Sequence, residues 1–181
     1  MKYILILVVL GLAFWFWRSQ TGGKANEGAL PLVGSPAPAF DLRDTRGVHH
    51  KLADYKGRWL VVYFYPKADT PGCTRESCKC RDDWHSFQEM GVVLVGISAD
   101  KPADNAAFAL KFHLPFPLLS DTGGEFARQY GAWMNLGITG FPRRYTYIVD
   151  PDGRIAQVYT DVSVSEHSTE VLADLRRLTA H

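Results

Sequence analysis

The chain has 181 residues, of which 46% are hydrophobic, 22% charged and 13% aromatic. That balance excludes a disordered tail protein and fits one globular domain of ~100–200 residues. Twenty Lys and Arg against nineteen Asp and Glu leave a formal net charge of +1, too even for a protein that grips phosphate backbones by bulk charge, so no nucleic-acid partner is expected.

Residues 3–17 (YILILVVLGLAFWFW) form an unbroken apolar run between Lys2 and Arg18. As a helix at ~1.5 Å per residue it reaches ~22 Å, against a hydrocarbon slab of ~30 Å, so the flanks would have to join in to cross one. The aromatic end at 14–17 reads as an interfacial anchor rather than the small-residue approach to a cleavage site. Residues 1–18 are therefore expected to be a transmembrane or signal-anchor segment. This makes the membrane a partner through residues 3–17 and places the domain that follows on the periplasmic side. Residues 19–30 (SQTGGKANEGAL) are small, polar and glycine-bearing, the composition of a flexible linker. The folded domain is expected over 31–181.

Within it, residues 59–65 (WLVVYFY) and 92–97 (VVLVGI) are continuous apolar runs rich in Val and aromatics, which predicts central strands covered on both faces. The stretch 70–89 between them has the length and one-sided polarity of a single helix, giving a right-handed strand, helix, strand unit. Residues 145–149 and 155–159, joined by Asp150-Pro151-Asp152-Gly153, predict a hairpin. Residues 165–179 predict a closing amphipathic helix with Val171, Leu172, Leu175 and Leu178 on one face. The class is α/β with a mixed sheet.

Three cysteines cannot all pair with one another and are too few for a disulfide scaffold. All three lie in residues 66–82 (PKADTPGCTRESCKCRD), where the first central strand hands over to its helix, the edge of an α/β sheet that favours ligands and chemistry. Thr70 suits an N-cap and Pro71 a first helical residue, so Cys73 falls at the third helical position, within the turn whose N–H groups lack intrahelical partners. The positive end of a helix favours thiolate over thiol, and cysteines so placed drop from ~8.5 to ~3.5–7.5. Cys80, Trp84 and Phe87 return within ~40° of Cys73 around the helix, which makes Cys80 a small core residue, whereas Cys78 lies ~140° away.

The pattern Pro66-x-x-x-Thr70-x-x-Cys73, inside Thr-Pro-Gly-Cys-Thr-x-Glu with a second cysteine five residues on, resembles the bacterioferritin-comigratory-protein (peroxiredoxin Q) branch of the peroxiredoxins. The likeness runs from Gly34-Ser-Pro-Ala-Pro-Ala-Phe-Asp-Leu to the strand Arg144-Tyr-Thr-Tyr-Ile-Val-Asp150. It implies a thioredoxin-like fold, a mixed central sheet flanked by helices, and a peroxidase that reduces hydrogen peroxide or organic hydroperoxides. Cys73 would be the peroxidatic and Cys78 the resolving thiol of an intramolecular disulfide, recycled by thioredoxin or a similar dithiol donor. Thr70 would orient the peroxide, Pro66 would shield the sulfur from water, and Arg144, rather than its neighbour Arg143, would stabilise the anionic sulfur and the breaking O–O bond. Glu76 matches a recurrent position of that family and is otherwise readable as an exposed helix partner of Lys79. On an intact helix the α-carbons of Cys73 and Cys78 stand ~8.6 Å apart, beyond the ~7 Å reach of a disulfide, so the first turns must unwind.

Cys80 stands where that branch carries an aromatic, which leaves it an alternative resolving thiol that lies farther from Cys73 than Cys78 does, and residues 133–138 (WMNLGI) read as an apolar loop. A membrane-tethered thioredoxin-like thiol-disulfide oxidoreductase is the alternative, but it wants Cys-x-x-Cys at the helix start where this chain has Cys-x4-Cys-x-Cys. A zinc site from Cys73, Cys78, Cys80 and His85 fails because Cys78 points away from the others. No cofactor and no metal are expected, and the chain is expected to act as a monomer. His49, His50, His113, His167 and His181 are assigned to the surface or to loops.

Overall fold

The computed structural model describes residues 28–180. In chain order the elements are β1 (Asp41–Arg43), β2 (His49–Lys51), a 3-10 turn (Leu52–Tyr55), β3 (Leu60–Phe64), α1 (Pro71–Asp82), α2 (Trp84–Glu89) and β4 (Val93–Ser98). There follow α3 (Pro102–Phe112), β5 (Leu118–Ser120), α4 (Glu125–Gln129), β6 (Trp133–Asn135), β7 (Gly140–Pro142), β8 (Thr146–Val149), β9 (Ile155–Tyr159) and α5 (His167–Leu178).

The continuous apolar runs become the middle of a five-stranded sheet of order β5-β4-β3-β8-β9. β3 pairs parallel with β4 and antiparallel with β8, and it is buried along its whole length. Strand parity divides its side chains between two cores. Leu60, Val62 and Phe64 join Phe40, Val95, Tyr130 and Tyr147 on one face. Val61 and Tyr63 join Cys73, Cys80, Phe87, Phe108, Leu172 and Leu175 on the other, so that face is covered by α1, α2, α3 and α5. This is the mixed, helix-flanked sheet of the thioredoxin-like fold. The β8–β9 hairpin forms where Asp150-Pro151-Asp152-Gly153 predicted it: Asp150 Oδ1 accepts the N–H groups of Asp152 and Arg154, and Gly153 takes φ +80°.

Three expectations are corrected. The stretch 70–89 is two helices, because the chain breaks at Asp83 (φ −91°, ψ 5°), whose carboxylate accepts Lys79 Nζ and the Ser168 hydroxyl at the start of α5. Residues 133–138 are not a plain loop: Trp133–Asn135 pairs with Gly140–Pro142. The Trp133 ring, under the Arg128 guanidinium at 4.3 Å, occupies the space a Cβ would need at Gly124 or Gly140. The membrane localisation is also corrected. The run 3–17 lies outside the described residues, and among the described residues no helix is long and apolar enough to cross a membrane.

Candidate active site

β3 delivers the chain through Tyr65 and Pro66 into a short loop and then α1, which places Cys73, third in the helix, beside the C-terminal end of the central strand. Thr70 holds the N-cap position with extended backbone, but its hydroxyl does not cap: it donates to the Lys67 carbonyl at 3.0 Å. The helix begins instead on Pro71 and on the Thr74 N–H donated to the Thr70 carbonyl at 2.8 Å. First-turn N–H groups have no intrahelical acceptor, and Cys73, fully buried, sits in that turn at the positive end of the helix.

Arg144, just ahead of β8, reaches back across the sheet end. Its Nη2 donates to Cys73 Sγ at 3.3 Å, while Nη1 pairs with Glu76. The guanidinium side chain is 20% exposed and the Glu76 side chain 1%. Glu76 is thus not an exposed partner of Lys79, which pairs with Asp83. Burial pushes the Glu76 carboxyl up to about 7 against the pull of Arg144, and its Oε1 has no hydrogen-bond partner. Gly72 has a steric reason to be glycine, because a Cβ there would stand 3.2 Å from Arg144 Nη2. Arg143 faces out, with Nε 3.5 Å from the Trp133 carbonyl. Of the two arginines, only Arg144 is brought to the sulfur.

His167, expected at the surface, is buried at the start of α5. Its ring stands edge-on to Tyr159 and its Nε2 lies 2.7 Å from the Thr146 hydroxyl. Burial, and secondarily the charge of Arg144, lower its pKa to about 4, so a neutral imidazole backs the site. The helical arithmetic did not fail for the thiols. Cys80 is buried in the core cluster that holds Tyr63 and Phe87, where desolvation pushes its thiol well up, while Cys78 is half-buried on another side of α1. All three thiols are free.

The loop ahead of Cys73 is held from two sides. Asp69, in the left-handed region at φ +57°, takes both carboxylate contacts from Lys111 Nζ, at 2.9 and 2.7 Å. Asp100, beyond β4, accepts Lys67 Nζ and the Ala68 N–H. Pro66 and Lys67 line a cavity of about 400 Å³ with Ala99, Asp100, Gly140 and Phe141. Sequence reasoning missed Asp100 and His167. The Ser98-x-Asp100 stretch ending a central strand was a signal for the first, since side chains at that edge face the site.

Comparison with known proteins agrees with this fold. The AhpC/TSA family matches residues 33–158. The putative peroxiredoxin bcp of Coxiella burnetii is 40% identical over 147 residues, covering 79% of this chain and 97% of that protein. The chloroplastic peroxiredoxin Q of Gentiana triflora is 40% identical over 160 residues, covering 88% of this chain and 70% of the relative. Among solved structures, peroxidoxin BcpB from Mycobacterium tuberculosis superposes with a TM-score of 0.78 at 34% identity, covering 83% of this chain and 99% of that one. A family match over most of the described domain, 40% identity to peroxiredoxins and superposition on a solved one together identify the chain as a member of the AhpC/TSA family and, within it, as a thiol peroxidase of the peroxiredoxin Q/Bcp group.

Proposed function

We propose that Cys73 is the peroxidatic thiol of the domain over residues 31–181, Cys78 its resolving partner, and Thr70, Pro66 and Arg144 the groups that prepare the peroxide. The observation that carries this reading is the Arg144 Nη2 to Cys73 Sγ contact of 3.3 Å at the third position of α1. A guanidinium is permanently charged and has donors to spare, so Arg144 stabilises the anionic sulfur and then the charge developing on the peroxide oxygens as they part. The sulfur anion attacks one oxygen of the hydroperoxide. An S–O bond forms, the O–O bond breaks, and the departing alkoxide or hydroxide takes up a proton to leave as alcohol or water. Cys73 becomes a sulfenic acid.

Thr70 already gives its hydroxyl proton to the Lys67 carbonyl, which leaves the oxygen lone pairs to accept from the peroxide O–H. Pro66, between β3 and the Cys73 helix, offers no N–H, and its role in this cycle is to shield the sulfur from water. Cys78 then attacks the sulfenic sulfur, the two sulfurs join and water leaves. Its half-buried place on the far side of α1 means that the first turns must open for this step, and the break at Asp83 limits the opening to α1. Exchange with a dithiol such as thioredoxin restores both thiols. Hydroperoxide and dithiol are the only partners this cycle requires, and a single chain suffices for it.

The test is to oxidise the protein with one equivalent of hydrogen peroxide, alkylate, and map the disulfide by peptide mass. A Cys73–Cys78 link within one chain is expected. A Cys73–Cys80 link would reassign the resolving role, and Cys73 remaining alkylatable after turnover would remove it from the chemistry.

A further inference from the structure

The connection from β4 to α3 carries a buried carboxylate that the cycle above does not use. Asp100 is 8% exposed. Its Oδ2 accepts the Ala68 N–H at 2.7 Å and its Oδ1 accepts Lys67 Nζ at 2.9 Å. The residue is itself fixed from behind. Its backbone N–H donates to Ser98 Oγ at 3.2 Å, and Ser98 Oγ donates to Asn105 Oδ1 at 3.2 Å. The same Oδ1 accepts the Tyr65 hydroxyl at 2.7 Å, while Asn105 Nδ2 donates to Ser120 Oγ at 3.0 Å. The ends of three strands and one helix thus hold this carboxylate against the loop.

Of its two contacts, the one to Lys67 is weak, because that side chain is 67% exposed and the pair is screened by solvent. The Ala68 contact is the consequential one. The peptide that donates this N–H is the one whose carbonyl, on Lys67, accepts the Thr70 hydroxyl at 3.0 Å. A trans peptide is planar and points its N–H and C=O in opposite directions, so the unit is gripped at both ends. An anionic acceptor on the N–H also polarises the carbonyl and strengthens the bond it accepts.

We infer that Asp100 is a positioning residue for the peroxide: acting through the Lys67–Ala68 peptide, it commits the Thr70 proton to the loop and keeps the Thr70 oxygen an acceptor towards substrate. This rests on the role proposed above for Thr70. Asp100 makes its hydrogen bonds to Lys67, Ala68 and Ser98 and none to Cys73, so its effect is confined to reactions that need the peroxide aligned.

The experiment compares two single-turnover rates at Cys73 in the full chain: oxidation by hydrogen peroxide, which needs alignment, and alkylation by iodoacetamide, which needs only the anionic sulfur. Asp100→Ala is expected to lower the oxidation rate by about tenfold, the order of one lost hydrogen bond to a charged group, and to leave alkylation within about twofold. Asp100→Asn, which keeps an oxygen for the Ala68 N–H, recovers most of the loss. Thr70→Val alone lowers oxidation, and adding Asp100→Ala to it costs nothing further, because the two act in series. Unchanged oxidation in Asp100→Ala, a parallel fall in both rates, no recovery in Asp100→Asn, or additive losses in the double variant would each overturn the inference. Unchanged oxidation in Thr70→Val would instead remove the role of Thr70 itself, which separates the failure of that reading from a failure of Asp100 alone.

Discussion

Glu76 and His167 place two buried titrations around Arg144, and their effects on stability run in opposite directions over almost the same pH range. The Glu76 carboxyl rises from an ordinary 4.5 to about 7 in the folded chain. Between those values the folded protein holds a proton that the unfolded chain has released. Stability from this group is therefore complete below 4.5, falls as pH rises, and levels off above 7. The span corresponds to about 3 kcal/mol at ~1.4 kcal/mol per tenfold change in proton affinity. His167 falls from 6.5 to about 4, so between those values the unfolded imidazole takes a proton that the buried ring refuses. Its contribution is complete above 6.5 and is lost by about the same amount as pH drops to about 4. In the parent protein the two slopes nearly cancel between 4.5 and 6.5. Each single variant unmasks the other group. Measured by urea midpoints of the reduced protein across pH 4 to 8, Glu76→Gln should gain on the parent by about 3 kcal/mol from pH 4.5 to 7, whatever its constant offset. His167→Gln should gain by a similar amount as pH falls from 6.5 to 4. A difference between Glu76→Gln and the parent that stays flat through this window would mean that Glu76 titrates as an ordinary carboxylate, and the account of its burial would be wrong.

Two further outcomes follow from packing. Cys80→Ala removes one buried atom beside Tyr63 and Phe87, so it should cost about 1 kcal/mol of stability while leaving peroxide turnover and the disulfide map unchanged; a turnover loss in the folded variant would give Cys80 a chemical role. Gly72→Ala adds a Cβ 3.2 Å from Arg144 Nη2, in a helix where alanine is otherwise the better residue. The melting temperature should hold or rise while oxidation of Cys73 slows severalfold, and an unchanged rate would show that the guanidinium has room to spare.

The elements legible in the sequence were those whose signal is local and long enough to repeat. β3 and β4 were visible as continuous apolar runs, the β8–β9 hairpin as a turn sequence, α5 as one apolar face, and the start of α1 as Thr70-Pro71. Strands of three residues, such as β1, β2, β5, β6 and β7, are too short to show a period, and polar ones such as His49–Lys51 carry no apolar signal at all. Asp83, at the break, is held by Ser168, which arrives from another element. The site divides in the same way. The place of Cys73 follows from residues beside it, whereas the choice of Arg144 over Arg143 came from family likeness. The depth of Glu76 is set by an arginine far along the chain, and that of His167 by the docking of α5 on β8 and β9.

The central strand is flanked by neighbours of opposite direction, so the end where the sulfur sits receives the outgoing end of β4 and the incoming end of β8. The Phe64 N–H bond to the Tyr145 carbonyl, 2.8 Å long, carries the second pairing one residue past Thr146 towards Arg144. Arg144 itself sits in a bend, where the Tyr145 N–H donates to the Arg143 carbonyl at 2.9 Å, so its reach to the sulfur depends on the spacing between that bend and the start of β8. A change in that spacing would keep the order of the sheet while taking the guanidinium from Cys73 and leaving the buried Glu76 carboxyl without its arginine.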